Sequence, residues 1–331
     1  LWTMIPLRRF VSNLANIRNY QVTILGAATE LGQTISLLLR AQPSITKLVV
    51  HDSLIHNQGV AMDVSHVPSE SSIIGYTGEE TLERALKNSD IVIATGGTSK
   101  QPCMTQKMWF ANNSDYIKRT APQIAKIHPF PFVGIVTEPI NSIVPMAAEI
   151  MRNHGDFNGR KLFGISTIDS LRAQCLFAIE NKLSPQKCSV PIIGGRSKNT
   201  IIPLLSQSKP YIDMEELLAQ EFTTKLRNCD EVVTNAKAGW SPTLAIAYSV
   251  LVFVRALIEA LDSRQSKVNA FVENNDFGTT FFGGLTTIDK NGVREMERYN
   301  KLSKFEVHLL ESSINQLRRD VEKGKKLLEL V

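Results

Sequence analysis

The chain has 331 residues, 43% of them apolar and 21% charged, with 37 Lys and Arg against 32 Asp and Glu. That is enough for one large domain or two ordinary ones with a sizeable core, at a composition typical of globular proteins. The net charge of +5 is mild and interleaved, and without a basic stripe it argues against nucleic acid as a partner. The cysteines Cys103, Cys175, Cys188 and Cys229 form no C-x-x-C pair, so no metal site and no disulfide framework is expected. They read as free thiols of a reducing compartment.

The first segment, residues 1–20, reads LWTMIPLRRFVSNLANIRNY. It is basic through Arg8, Arg9 and Arg18 and contains no acid. That is the signature of a mitochondrial transit peptide, and it predicts the mitochondrial matrix, with the cytoplasm as the alternative. Next, QVTILG is a strand-length run that meets a glycine, and ELGQTISLLLRAQ carries apolar residues at helical spacing. KLVVHD is a second strand ending in an acid. DIVIATGG and FVGIVTEP are two more strands. Strands alternating with helices predict an α/β fold with a doubly wound parallel sheet. Ligands bind such sheets at the carboxyl ends of the strands, here Gly26–Gly32, Asp52, Gly96–Thr105 and Thr137–Asn141.

The second half reads as more helical. Ser184 and Pro185 look like the N-cap and first position of a helix. TLAIAYSVLVFV, twelve residues, falls short of a membrane span, so it reads as the start of a long, largely buried helix, SPTLAIAYSVLVFVRALIEAL, and no membrane partner is expected. Ser303 and Glu306 form a capping box, followed by apolar Leu309, Leu310, Ile314, Leu317 and Val321 on one helical face.

The loop GAATELG after the first strand has the features of a dinucleotide site. Glycines at a strand–helix turn let a pyrophosphate sit on the helix N-terminus. Asp52, twenty residues past Gly32, suits an adenosine ribose and favours NAD over NADP.

With this loop, HDSLIHNQGVAMDVSH, PCMTQKMWFANN, TEPINS, LFGISTIDSLR and VPIIGGR follow in order. Together they make the chain resemble the malate dehydrogenases, closest to the mitochondrial type, from about Val22 to the C-terminus. The resemblance implies an NAD-binding Rossmann domain over residues 21–163 and an α+β substrate domain over 164–331. It also implies hydride exchange between L-malate and oxaloacetate, and a homodimer or a pair with a homologue. It places the cofactor against Gly26, Ala27, Thr29, Leu31, Gly32, Asp52, Asn113, Val136, Thr137 and Ile246.

The family's chemistry uses a histidine that takes the hydroxyl proton, an aspartate that supports it, three arginines for the two substrate carboxylates and an asparagine on the substrate oxygen. Asp169 and Arg172 match the aspartate and one arginine. The other two arginine positions hold Lys100 and Gln106, the asparagine position holds Glu138, and the histidine position holds Arg196. A guanidinium with a pKa above about 12 is no general base near neutral pH. A dicarboxylate substrate is therefore doubtful, and the expected chain is impaired or inactive. It is either a structural or regulatory relative of an active homologue or an active enzyme with an unusual site. Arg196 is expected to pair with Asp169 or Glu138 and fill the pocket with the chain's own ions. Thr29 adds a side chain where pyrophosphate approaches, and Glu30 adds a charge competing for the same amides, so weakened NAD binding is expected.

Overall fold

The computed structural model describes residues 20–100 and 104–326; most of the N-terminal leader (residues 1–19) and Cys103 lie outside them. The first lobe runs β1 (Tyr20–Leu25), α1 (Glu30–Arg40), β2 (Ile45–Asp52), α2 (Asn57–Ser65), β3 (Ser72–Thr77), α3 (Leu82–Leu86), β4 (Ile91–Ala94), α4 (Gln106–Ala125), β5 (Phe132–Ile135), α5 (Ile140–Arg152) and β6 (Leu162–Ile165). All six strands pair in parallel in the order β3-β2-β1-β4-β5-β6. Their apolar runs fit this arrangement: β1, β4, β5 and β6 are buried along their whole length, as strands covered on both faces must be.

The second lobe adds α6 (Thr167–Glu180), β7 (Ile192–Gly194), β8 (Ile201–Pro203), α7 (Glu216–Arg227), α8 (Cys229–Ala236), α9 (Leu244–Leu261), β9 (Ser266–Glu273), β10 (Phe281–Asp289), β11 (Gly292–Met296) and α10 (Lys304–Lys326). Its strands are antiparallel, and β9 pairs with β6, so one sheet runs through both lobes. The boundary expected between residues 163 and 164 falls inside β6. The strands β9–β11 fit the α+β substrate domain that the resemblance implies, although the residue pattern of this half by itself reads as helical. Partly alternating burial along Ser266–Glu273 is what makes that segment a strand.

Two further expectations change. Ser184 makes no side-chain cap, and only the single 3₁₀ turn Pro185–Lys187 forms. Cys188 is already extended, and the next residue, Ser189, bonds the Lys209 backbone, which draws the chain out of the helix. The apolar run before Arg255 is part of an 18-residue helix, α9, with a mean hydropathy of 2.0. That is long and apolar enough to cross a membrane by length alone. Its Ala247, Val250, Phe253, Val254 and Leu257 are fully buried, in the core cluster that the sheet shares. The capping box forms as expected: the Glu306 amide donates to Ser303 Oγ at 3.2 Å, and the Ser303 amide donates to Glu306 Oε2 at 2.7 Å. Leu317 and Val321 then bury the face of α10 that packs on α5. Cys175, Cys188 and Cys229 are free thiols, and among the described residues no group of His, Cys, Asp or Glu is arranged to hold a metal.

Candidate functional site

The carboxyl ends of β1, β4 and β5 open on a cavity of about 830 Å³. Thr29 and Leu31, Thr95 to Lys100, Asn113 and Val136 to Glu138 line its first-lobe wall, and α8 and α9 supply the opposite wall. Gly26 makes the turn at φ +83°, and a Cβ there would meet Gly96 Cα at 2.2 Å. A Cβ on Gly32 would meet Gly26 O at 2.2 Å. These two glycines, with fully buried Ala27, therefore build the turn from behind. Thr29 is the N-cap of α1: its Oγ1 accepts from the Gly32 amide at 3.0 Å and donates to Gly26 O at 2.8 Å. Asp52 is buried, and its two oxygens accept the Ala28 and Leu54 amides at 3.0 and 3.1 Å, so this acid also fastens the glycine loop to the end of β2.

Glu30 departs from expectation. Its Oε1 accepts the Thr243 hydroxyl at 2.8 Å and lies 3.6 Å from Lys237 Nζ. The carboxylate thus bridges to the start of α9 and does not compete for the first-turn amides of α1. The competitor for those amides is Thr29, whose hydroxyl already takes the Gly32 amide. The amides of Glu30 and Leu31 have no partner within the helix, as at any helix start. Thr95 Oγ1 is buried without a partner on the cavity wall. Unsatisfied donors at a helix start, close backbone approach at Gly26 and a lone hydroxyl suit a dinucleotide.

Asn113 holds the middle of the groove. It accepts the Thr98 amide at 2.6 Å and donates to Thr98 O at 3.2 Å and Glu138 O at 2.6 Å. A Cβ on Gly97 would meet its Oδ1 at 2.5 Å, which is why the loop needs glycine there, at φ +95°. Thr137 Oγ1 donates to Gly96 O at 2.7 Å. Val136 and Ile246 add apolar surface from the two walls. Lys100 stands at the rim, exposed, its Nζ 6.0 Å from the Trp109 ring centroid. Gln106 is exposed at the start of α4 and does not line the cavity. The structure therefore does not bring Gln106 to the site.

At the far end, Gly194 turns at φ +103° and Gly195 abuts Asn141, whose Oδ1 accepts the Arg196 amide at 2.7 Å. This turn delivers the Arg196 side chain, only 4% exposed, into a cluster of carboxylates. Its Nη1 donates to Asp169 Oδ1 at 2.8 Å, its Nε to Glu138 Oε1 at 3.0 Å, and its Nη2 lies 2.7 Å from the same Glu138 oxygen. The expected pairing is present with both acids. Arg172 Nη2 donates to Asp230 Oδ1 at 2.5 Å, and Arg196 Nη2 lies 3.8 Å from Asp230 Oδ2. Burial raises the pKa of Glu138 and Asp169 above the usual carboxylate range against the pull of Arg196. Burial opposes the charge of Arg196, yet Asp169, Glu138 and Asp230 hold its pKa above normal. Burial also works against Asp230, but Arg196 and Arg172 draw it below its ordinary value.

Asp230 is the residue that sequence reasoning missed. It opens α8 in NCDEVV, 58 residues from Arg172, and an acid in a first helical turn is ordinary. Two guanidiniums therefore face three carboxylates here, a more acidic site than the sequence suggests. The cluster does not fill the pocket, because the cavity in front of it remains open.

The comparisons with known proteins agree with this architecture. The model of the lactate/malate dehydrogenase NAD binding domain matches residues 20–164, and that of the lactate/malate dehydrogenase alpha/beta C-terminal domain matches residues 166–328. Mitochondrial malate dehydrogenase of Homo sapiens is 33% identical over 321 residues, covering 96% of this chain and 94% of the relative. That of Sus scrofa is 32% identical over 324 residues, covering 97% and 95%. The crystal structure of Cryptosporidium parvum malate dehydrogenase superposes with a TM-score of 0.79 at 25% identity, over 93% of this chain and all of that one. A loop built for NAD, a continuous two-lobe sheet and these matches converge: the chain belongs to the lactate/malate dehydrogenase family, as a divergent member of malate dehydrogenase type.

Proposed function

We propose that this chain keeps an NAD site of reduced affinity and has lost normal exchange of hydride between malate and oxaloacetate. The observation that carries this reading is the buried bonding of Arg196 to Asp169 and Glu138. NAD, when bound, supplies the hydride acceptor. What the chain must supply is an acceptor for the hydroxyl proton and cations for two carboxylates. Arg196 holds its protons permanently, and Glu138 turns a carboxylate toward the place an anionic substrate needs. No histidine stands in for it: among the described residues, no histidine lines the cavity.

The assay is direct. Purified protein with NADH and oxaloacetate is followed by NADH absorbance, and turnover within about tenfold of the common 1–10³ s⁻¹ range overturns the reading. For the cofactor, calorimetric titration is expected to give NADH binding weaker than micromolar, because Thr29 Oγ1 occupies a first-turn amide. Micromolar affinity would overturn that part alone.

The open cavity favours a structural or regulatory role that still uses a bound dinucleotide. The mitochondrial names of the relatives and the acid-free leader support the mitochondrial matrix. Exposed Leu37, Met62, Leu244 and Tyr248 on α1, α2 and α9 support a dimer with a second copy or a homologue, which light scattering reads as mass in solution.

A further inference from the structure

The two arginines at this end of the groove, Arg172 and Arg196, do not line the cavity. Glu138 and Asp230 line it, with side chains 34% and 48% exposed, while Arg196 and Arg172 stand behind them at 4% and 12%. Glu138 is held through one oxygen, and Asp230 through one hydrogen-bonded oxygen with the other 3.8 Å from Arg196 Nη2. Glu138 Oε1 takes both contacts from Arg196, and Asp230 Oδ1 takes the bond from Arg172. The two carboxylates come from distant parts of the fold, the β5–α5 turn and the first turn of α8, and converge on Arg196 Nη2 at 2.7 and 3.8 Å. Two carboxylates converging on a pair of guanidiniums is the pattern that a small dicarboxylate would make there.

We propose that Asp230 and Glu138 act as an internal dicarboxylate that occupies Arg172 and Arg196 and so excludes small free dicarboxylates from this end of the cavity. The proposal rests on reading Arg172 as the remaining substrate arginine. A tethered carboxylate gives up far less translational and rotational freedom on pairing than a free anion does, so it wins at ordinary anion concentrations. The two tethers differ in strength. Glu138 sits in the turn that Asn113 fastens through its backbone carbonyl. Asp230 sits on α8, an eight-residue helix with no buried side chain. The acids of its first turn tie α8 to the body, Asp230 to Arg172 and Glu231 to Lys198. Asp230 is therefore the displaceable half of the pair, and it decides whether Arg172 is available.

The test is calorimetric titration with malonate, without cofactor and with excess NADH. The unmodified protein is expected to bind malonate weakly or not at all. Asp230→Asn, which keeps the shape and removes the charge, is expected to gain at least about tenfold in affinity, about 1.4 kcal/mol. Adding Arg172→Gln should abolish the gain. Glu231→Gln cuts the other tie of α8 and leaves Asp230 in place, so it should gain nothing. Asp230→Ser is a second route to the same loss of charge, and circular dichroism verifies the fold of each variant. Equal malonate affinity in the unmodified protein and both Asp230 variants overturns the proposal. So does an equal gain from Glu231→Gln, which would make loosening of α8 the cause. This readout is separate from turnover, so an active unmodified enzyme would defeat the proposed function without deciding whether Asp230 blocks Arg172.

Discussion

Arg196→His leaves oxaloacetate reduction within about tenfold of the unmodified protein, far below the 10²- to 10⁴-fold that a restored general acid–base residue typically supplies. Three features of the site set this result. The histidine would enter a niche where Glu138 and Asp169 already reach the position of the guanidinium and Asp230 stands close by. Neighbouring carboxylates hold the imidazole protonated and make it a weaker acid, so it gives its proton less readily to the carbonyl oxygen of oxaloacetate as hydride arrives. Glu138 still faces the cavity where a substrate carboxylate or its oxygen must sit. Arg172 remains bound to Asp230, Gln106 remains outside the cavity, and Lys100 at the rim offers a point charge without a planar fork. Recovery of about 10²-fold or more in NADH oxidation from the single change would show that the base alone was missing, and it would sink this account.

Removing one member of the buried ion cluster destabilises the protein more than any surface change. Asp169→Ala leaves the Arg196 guanidinium, 4% exposed, without its buried partner. Breaking a buried pair by one partner costs about 3–5 kcal/mol, because the remaining charge is stranded away from water. Arg196→Ala strands Asp169, 2% exposed, and belongs in the same range. Glu138→Gln should cost much less, about 0–1 kcal/mol, because that side chain is 34% exposed and water screens the loss. Urea unfolding of the three variants checks the order. Similar midpoints for Asp169→Ala and the unmodified protein would mean that the cluster contributes little to the fold. The double replacement Arg196→Met with Asp169→Leu removes both charges and should recover much of the loss, since an apolar pair of similar volume often matches a buried ion pair.

Much of the first lobe is legible in the chain. β1, β2, β4 and β5 are read from apolar runs bounded by glycine or acid, because strands buried on both faces leave little else to choose. The capping box at Ser303 and Glu306 is read for a similar reason, since its partners lie three residues apart. The 3₁₀ turn at Pro185 is misread because its N-cap signal is local, whereas the bridge from Ser189 to Lys209 that ends it is not. α9 is read to its end at Leu261, and only its uninterrupted apolar run stops early, at Arg255, an exposed residue within the helix.

The sequence by itself determined which side chains are available to the site. A guanidinium at 196 cannot act as a base in any fold, and the motifs around it identify the position it occupies. The tertiary structure decided where the remaining charges go. Arg196 is paired with both Asp169 and Glu138, Glu30 reaches Thr243 instead of the helix start, and Asp230 holds Arg172 across 58 residues of chain. Pairing energies depend on distance in space and on burial, and sequence separation carries neither.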